Sequence, residues 1–289
     1  MLLLILTTIL WAFSFSLIGV YISGQVDTWF AVLIRIVLAF IVFVPFLRWR
    51  GVSFRQAFLF MLIGACQLGT MYIFYYQSFL YLTVPEVLLF TIMTPVYVTL
   101  IYDLMSRRRL RFGYFSTALL AVIGAAIIRY DHLSSQFWLG LMYVQGSNIC
   151  FAIGQVGYKR LMEVYPMPQH NAFAWFYVGA LVVAVIGWTL FGDMSKLPTT
   201  PLQWGILVWL GVGASGLGYF MWNYGATQVD AGTLAIMNNV LIPAGLLVNF
   251  ALWQQSVDWP RLLIGGFVII ISVFVHKYWV VNRSEQTTA

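Results

Sequence analysis

The sequence predicts an all-α membrane protein of ten transmembrane helices, built as two inverted five-helix repeats. Three observations predict it. Hydrophobic residues are 62% of the chain and charged residues 8%, with a mean hydropathy of +0.88; a soluble domain carries roughly 25% charged residues. Such a chain cannot cover a water-facing surface with polar side chains, so its solvent is lipid. Apolar runs of about 20 residues, enough to cross a bilayer, recur from end to end. Finally, one stretch echoes another. Gly64-Ala65-Cys66-Gln67-Leu68-Gly69 resembles Gly213-Ala214-Ser215-Gly216-Leu217-Gly218, Tyr75 and Tyr224 share an offset, and Pro95 and Pro243 end matching apolar runs. An echo half a chain length away marks two halves of similar build.

In order, the expected spans are Leu2–Tyr21, Trp29–Leu47, Ala57–Tyr81, Pro85–Tyr102, Phe112–Arg129, Phe137–Tyr158, Asn171–Phe191, Leu202–Tyr224, Ala231–Trp253 and Arg261–Val280. Met1 runs into the first with no basic leader or small-residue cleavage site, so that segment is expected to stay as a span. Short connections make neighbours antiparallel. With a cytoplasmic N-terminus, Arg48, Arg50, Arg55, Arg107, Arg108, Arg109, Arg111, Lys159, Arg160, Lys277 and Arg283 fall on the cytoplasmic side. Only Arg129, Lys196 and Arg261 fall opposite. That bias follows the positive-inside rule and puts both termini in the cytoplasm. Residues 1–130 form the first repeat, 131–281 the second and 282–289 a tail. Five spans per half invert the second copy, the architecture of alternating-access transporters.

The formal charge of +6 sits in loops between apolar runs, which argues against a nucleic-acid partner. Cys66 and Cys150 lie inside apolar runs without metal-ligand spacing. His132, His170 and His276 fall in or near loops and share no face. No metal or cofactor is expected.

Several short features together resemble the EamA-type members of the drug/metabolite transporter superfamily. They are Trp11-Ala12 in the first span, Arg35 in the second, the Gly/Ala-rich starts of the third and eighth, and Pro95 and Pro243 in the fourth and ninth. Trp222-Asn223 is similar to a Trp-Asn of amino-acid-exporting members. The chain departs from the family at the ends of the fourth and ninth spans, where Asp103-Leu104 and Gln254-Gln255 stand in place of Gly-Glu. The resemblance implies ten spans in two repeats, residence in the bacterial inner membrane and export of small metabolites, often amino acids.

Helical spacing gathers polar residues into stripes. Gln67, Thr70, Phe74, Gln77 and Tyr81 share one in the third span; Glu86, Phe90, Thr94 and Tyr97 one in the fourth; Gln145, Asn148, Ala152, Gln155 and Lys159 one in the sixth. Amides without partners are costly in hydrocarbon, so these should face other helices or water. For any single amide, helix–helix hydrogen bonding is the plainer reading. Convergence of several stripes on one cavity would favour a binding site. Asn238 and Asn239 precede Pro243, whose ring frees the Asn239 carbonyl. Trp11, Trp175 and Trp222 fit an interfacial belt poorly. The candidate binding residues are therefore Trp11, Gln67, Phe74, Gln77, Phe90, Thr94, Asn148, Gln155, Trp175, Trp222, Asn223, Asn238 and Asn239.

Arg35 and Glu86 are the charge and coupling candidates. Arg35 lies roughly 9 Å deep by helical rise, where a charge is usually paired or functional. Glu86, Asp27 or a substrate carboxylate are its rival partners. Glu86 also suits a helix N-terminus. An intramembrane enzyme would need paired carboxylates, a His cluster or an activated nucleophile within the spans, and the sequence offers none. The expected function is a secondary transporter exporting amino acids or related amphipathic compounds, with a multidrug or organic-cation exporter or an uncoupled facilitator as alternatives. Its expected partners are a small-molecule substrate and the bilayer, with Glu86 the candidate for coupling to protons. Nothing in the sequence sets an oligomeric state.

Overall fold

The computed structural model describes residues 1–107, 120, 123, 127, 135–229, 231–253 and 259–276. The basic run Arg108–Arg111, nearly all of the expected fifth span, His132, Gln254-Gln255 and the tail lie outside the described residues. Within them the chain is helical and holds no strand.

Helix α1 covers Leu2–Ile22, α2 Thr28–Phe46 and α3 Phe54–Ser78. Helix α4 comprises Val84–Phe90 and Thr94–Arg107, joined by a 3₁₀ turn at Thr91–Met93. Then come α5 (Ser135–Val164), α6 (Gln169–Phe191), α7 (Pro201–Thr227), α8 (Ala231–Trp253) and α9 (Trp259–His276). Six described helices, α1 to α4, α6 and α7, contain a segment long and apolar enough to cross a membrane. The Gln, Asn, Lys and Arg residues of α5 lower its hydropathy.

Local chemistry sets the starts. Asp27 caps α2 by accepting from the Phe30 amide at 2.8 Å. Ser53 and Gln56 close a capping box on α3, and Thr200 and Gln203 another on α7, with Pro201 in its first turn. These side chains satisfy amide groups that a helix start leaves unpaired.

Polarity runs inside-out relative to a soluble protein. Gln67, Gln155, Ser215, Asn223 and Asn249 are fully buried, whereas Ile9, Ile41, Leu62, Ile186 and Leu190 face outward. Apolar side chains toward lipid and polar ones toward other helices are what a hydrocarbon solvent demands.

Both echo stretches leave the α-helical path. Ala65–Thr70 in α3 and Trp209–Gly218 in α7 are π-helical. The Thr70 hydroxyl supports the wider turn by donating to the Ala65 carbonyl at 3.1 Å. Small residues here let backbones meet. A Cβ on Gly64 would lie 1.8 Å from the Phe176 carbonyl oxygen, and one on Gly179 1.8 Å from that of Met61. Helix α6 packs on α2 and α3, α1 on α7 and α8, and α5 on α3 and α4. The space left at the centre is walled by α1, α2, α3, α4, α5, α7 and α8.

Candidate functional site

The central cavity holds about 630 Å³ of empty space with its mouth included, and about 90 Å³ where the centre of a water molecule fits. Its apolar lining is largely aromatic: Trp11 and Phe15 from α1, Tyr72 and Tyr75 from α3, Phe151 from α5 and Tyr219 from α7. The polar lining comes from Ser14, Arg35, Thr91, Thr94, Ser147, Asn148 and Asn238.

A break in α4 places one polar wall. Pro95 has no amide hydrogen, so it cannot bond the Thr91 carbonyl one turn earlier. That carbonyl accepts instead from the Thr94 amide and from the Thr94 hydroxyl at 2.7 Å. With the Thr94 amide so engaged, the Phe90 carbonyl turns to α5. It accepts there from Asn148 Nδ2 at 3.0 Å and Gln145 Nε2 at 3.4 Å. Tyr97 donates to Gln145 Oε1 at 3.0 Å. The backbone break thus brings Thr91, Thr94 and Asn148 to the cavity together. Across α8, Asn238 Nδ2 donates to the Leu234 carbonyl at 2.9 Å.

Arg35 supplies the charge. Only 2% of it is exposed. Its Nε donates to Ser215 Oγ at 3.1 Å, and its terminal nitrogens donate to the hydroxyls of Tyr76 and Tyr72, each at 2.9 Å. The guanidinium carbon stands 4.2 Å from the Tyr72 ring centre and 5.4 Å from that of Tyr76. Neither acidic rival meets it. Oxygen Oε2 of Glu86 accepts from the Thr83 amide at 2.7 Å and hydroxyl at 2.8 Å, at the start of α4. Asp27 caps α2 in the α1–α2 connection. Burial pushes its carboxyl above the usual value, while the Phe30 amide pulls it down.

Trp11 anchors the aromatic wall. Its Nε1 donates to the Ala214 carbonyl at 2.8 Å within the π-helical part of α7. Its ring meets Tyr219 at 4.8 Å and Trp222 at 5.1 Å between centroids. Replacing Trp11 by Phe keeps a ring but removes that hydrogen bond. The expected loss is about 0.5–1.5 kcal/mol, read as a lower unfolding midpoint of the detergent-solubilised protein.

Of the residues singled out from sequence, Trp11, Arg35, Thr94, Asn148 and Asn238 line the cavity. Others sit one layer behind. Trp222 packs on Trp11 and donates from Nε1 to Gln155 Oε1 at 3.1 Å; Gln155 Nε2 is buried without a partner among the described residues. The Phe90 carbonyl binds Asn148, and its ring packs edge-on to Phe137. Gln67 and Asn223 exchange two hydrogen bonds, at 3.0 and 2.9 Å. Phe74 packs on Tyr143 and Gly146. Gln77 is half-buried at the end of α3. Trp175 meets Trp49 edge-on at 4.4 Å, with its own Nε1 buried and unpaired among the described residues. Asn239 Oδ1 is also buried without a partner among the described residues. Sequence reasoning left Ser14, Phe15, Met71, Tyr72, Tyr75, Thr91, Ser147, Phe151, Tyr219 and Leu241 out of the candidate set. The Tyr72–Tyr76 run beside the echo was the available signal for two of them.

Comparison with known proteins adds a decisive finding. Residues 1–130 and 138–276 match the EamA-like transporter family. The chain belongs to the EamA-like transporter family. This EamA-like protein is therefore a multi-pass membrane transporter and not an enzyme. It is 65% identical over 287 residues to the biotin transporter of Escherichia coli K12, covering 99% of this chain and 96% of that one. The biotin transporter of Salmonella typhimurium LT2 matches to the same extent. The probable biotin transporter of Pseudomonas aeruginosa is 54% identical over 276 residues, 95% of this chain and 96% of that one. A solved crystal structure shares the fold, with a TM-score of 0.67 at 17% identity over 96% of each chain.

The relatives correct the expected function. An amino-acid exporter was read from the Trp222-Asn223 pair and the amide stripes, but relatives of this identity are named for a vitamin. The pair gives the physical reason. Asn223 is fully committed to Gln67 and Trp222 to Gln155, so neither polar group is presented to the cavity.

Proposed function

We propose that this transporter carries biotin across the bacterial inner membrane by alternating access. The identity of 65% across 99% of the chain to proteins named biotin transporter carries the reading. The cavity supports it. Biotin joins a compact fused ring pair, one ring a neutral cyclic urea, to a short chain ending in a carboxylate. Aromatic walls with a few amides, hydroxyls and one cation suit such a ligand.

In this reading ten spans form two inverted repeats, residues 1–130 and 131–281, followed by a tail at 282–289. Both termini are cytoplasmic. Separate family matches over 1–130 and 138–276 support the division, and the Lys and Arg bias of the loops supports the orientation. Glu86 is the carboxylate proposed for proton coupling.

Proteoliposomes decide the substrate. Saturable uptake of labelled biotin is expected, blocked by excess unlabelled biotin and untouched by amino acids. Uptake no greater than in empty liposomes defeats the reading. The same vesicles with and without a pH gradient test coupling; equal accumulation removes that role from Glu86.

A further inference from the structure

We propose that Arg35 is the receptor for the substrate's carboxylate, with the neutral ring end held toward Asn148 and Asn238. This deepens the biotin reading and rests on it. A guanidinium stays ionised in any protein setting, and a buried charge without a counter-charge is expensive. Among the described residues Arg35 meets no carboxylate. Its partners are two phenols, a serine hydroxyl and two ring faces. All are neutral, so nothing among the described residues balances its positive charge on the cavity wall.

The donor count points the same way. A guanidinium has five N–H donors. The described residues engage three, which leaves one on each terminal nitrogen. A carboxylate accepts two such bonds side by side. The engaged donors hold the group still. Tyr72 and Ser215 are themselves bonded at 2.8 Å, and the Tyr177 hydroxyl donates to the Ser215 carbonyl at 2.5 Å. The guanidinium is thus fixed in orientation before substrate arrives, which lowers the ordering cost of binding.

Placement sets the pose. Arg35 belongs to α2, which packs on α3, α6 and α7. The cavity amides belong to α5 and α8, of which α5 packs on α3 and α4, and α8 on α1 and α4. An elongated ligand with an acid at one end and a urea at the other meets complementary groups at both.

Labelled biotin uptake into proteoliposomes, competed by unlabelled biotin or by its neutral carboxamide, tests the assignment. In the wild type the acid is expected to compete about 30-fold or more better than the amide, the worth of a buried charge-paired hydrogen bond. In Arg35→Gln that preference should shrink to about threefold or less, with biotin affinity falling about 30-fold or more. Arg35→Lys, which keeps the charge without the fork, should recover part of the preference. A wild type that takes up biotin but is blocked equally by amide and acid overturns the inference and leaves the biotin reading standing. So does an Arg35→Gln variant with undiminished preference. Absence of wild-type biotin uptake overturns both. Should Arg35→Gln fail to reach the membrane, the wild-type comparison and Arg35→Lys still decide.

Discussion

Gly179→Val removes folded protein from the membrane, and Gly64→Val does the same. The two glycines form one crossing of α3 and α6. Each position that a Cβ would occupy lies 1.8 Å from a carbonyl oxygen of the opposite helix, Met61 for Gly179 and Phe176 for Gly64. Each glycine therefore presents a Cα hydrogen to the facing carbonyl at roughly 3.3 Å between heavy atoms, a weak hydrogen bond that recurs at close helix pairs. A side-chain obstacle yields by changing rotamer; a backbone carbonyl yields only if the helix moves. Overpacking typically costs about 1–3 kcal/mol. The cost here lies at or above the top of that range, because two backbones must separate. It also displaces the π-helical turn beginning at Ala65, on which the cavity face of α3 depends. Small residues are how membrane helices come this close. Gly205→Val is the control, since nothing lies within 4 Å of its Cβ position. Fluorescence-detected size-exclusion of detergent extracts reads the result. A monodisperse peak of wild-type height for Gly179→Val would refute the crossing.

That π-helical turn also explains which parts of the site could be read from sequence. Composition and apolar runs are enough to place helices, because lipid leaves few other options. The echo stretches are visible because close backbone approach needs small residues. The cavity-facing sides were harder to read. The stripe from Gln67 to Tyr81 assumes an unbroken α-helical period, yet Ala65–Thr70 is π-helical. Each added residue turns an α-helix by about 100°, so residues after the turn lose phase with those before it. Gln67 then faces Asn223 on α7, Phe74 faces α5, and Met71, Tyr72 and Tyr75 face the cavity. Asn148 was legible because α5 is α-helical throughout Ser135–Val164. Arg35 was legible for a different reason. A charge in the middle of an apolar run demands an explanation whatever face it is on.

Breaking either member of the Gln67–Asn223 pair lowers stability, and replacing both restores it. Each amide is wholly buried, and each serves the other as donor and acceptor. Gln67→Met keeps length and shape but strands the Asn223 amide. Asn223→Leu strands that of Gln67. A buried polar group left without partners costs about 1–3 kcal/mol. Replacing both partners removes the stranded groups, and near-neutral outcomes are common when shape is kept. Shape matters here, because a Cβ on Gly154 would stand 2.0 Å from that of Gln67. A linear side chain is therefore needed at position 67. The expected double-mutant cycle has two destabilised single variants, a double variant within about 1 kcal/mol of wild type and a coupling of about 1–3 kcal/mol. Membrane interhelical hydrogen bonds average only about 0.6 kcal/mol, so a coupling above that would mark the reciprocal, fully desolvated geometry as the stronger case. Unfolding midpoints in detergent supply the energies. Uptake per folded molecule supplies the second readout, and it should survive in the double variant, because neither amide lines the cavity. A stable double variant with transport reduced more than about tenfold, 1.4 kcal/mol in the transport step, would instead put the pair in the substrate's path. The same result would mean that the cavity extends past Tyr219 toward Asn223 during transport.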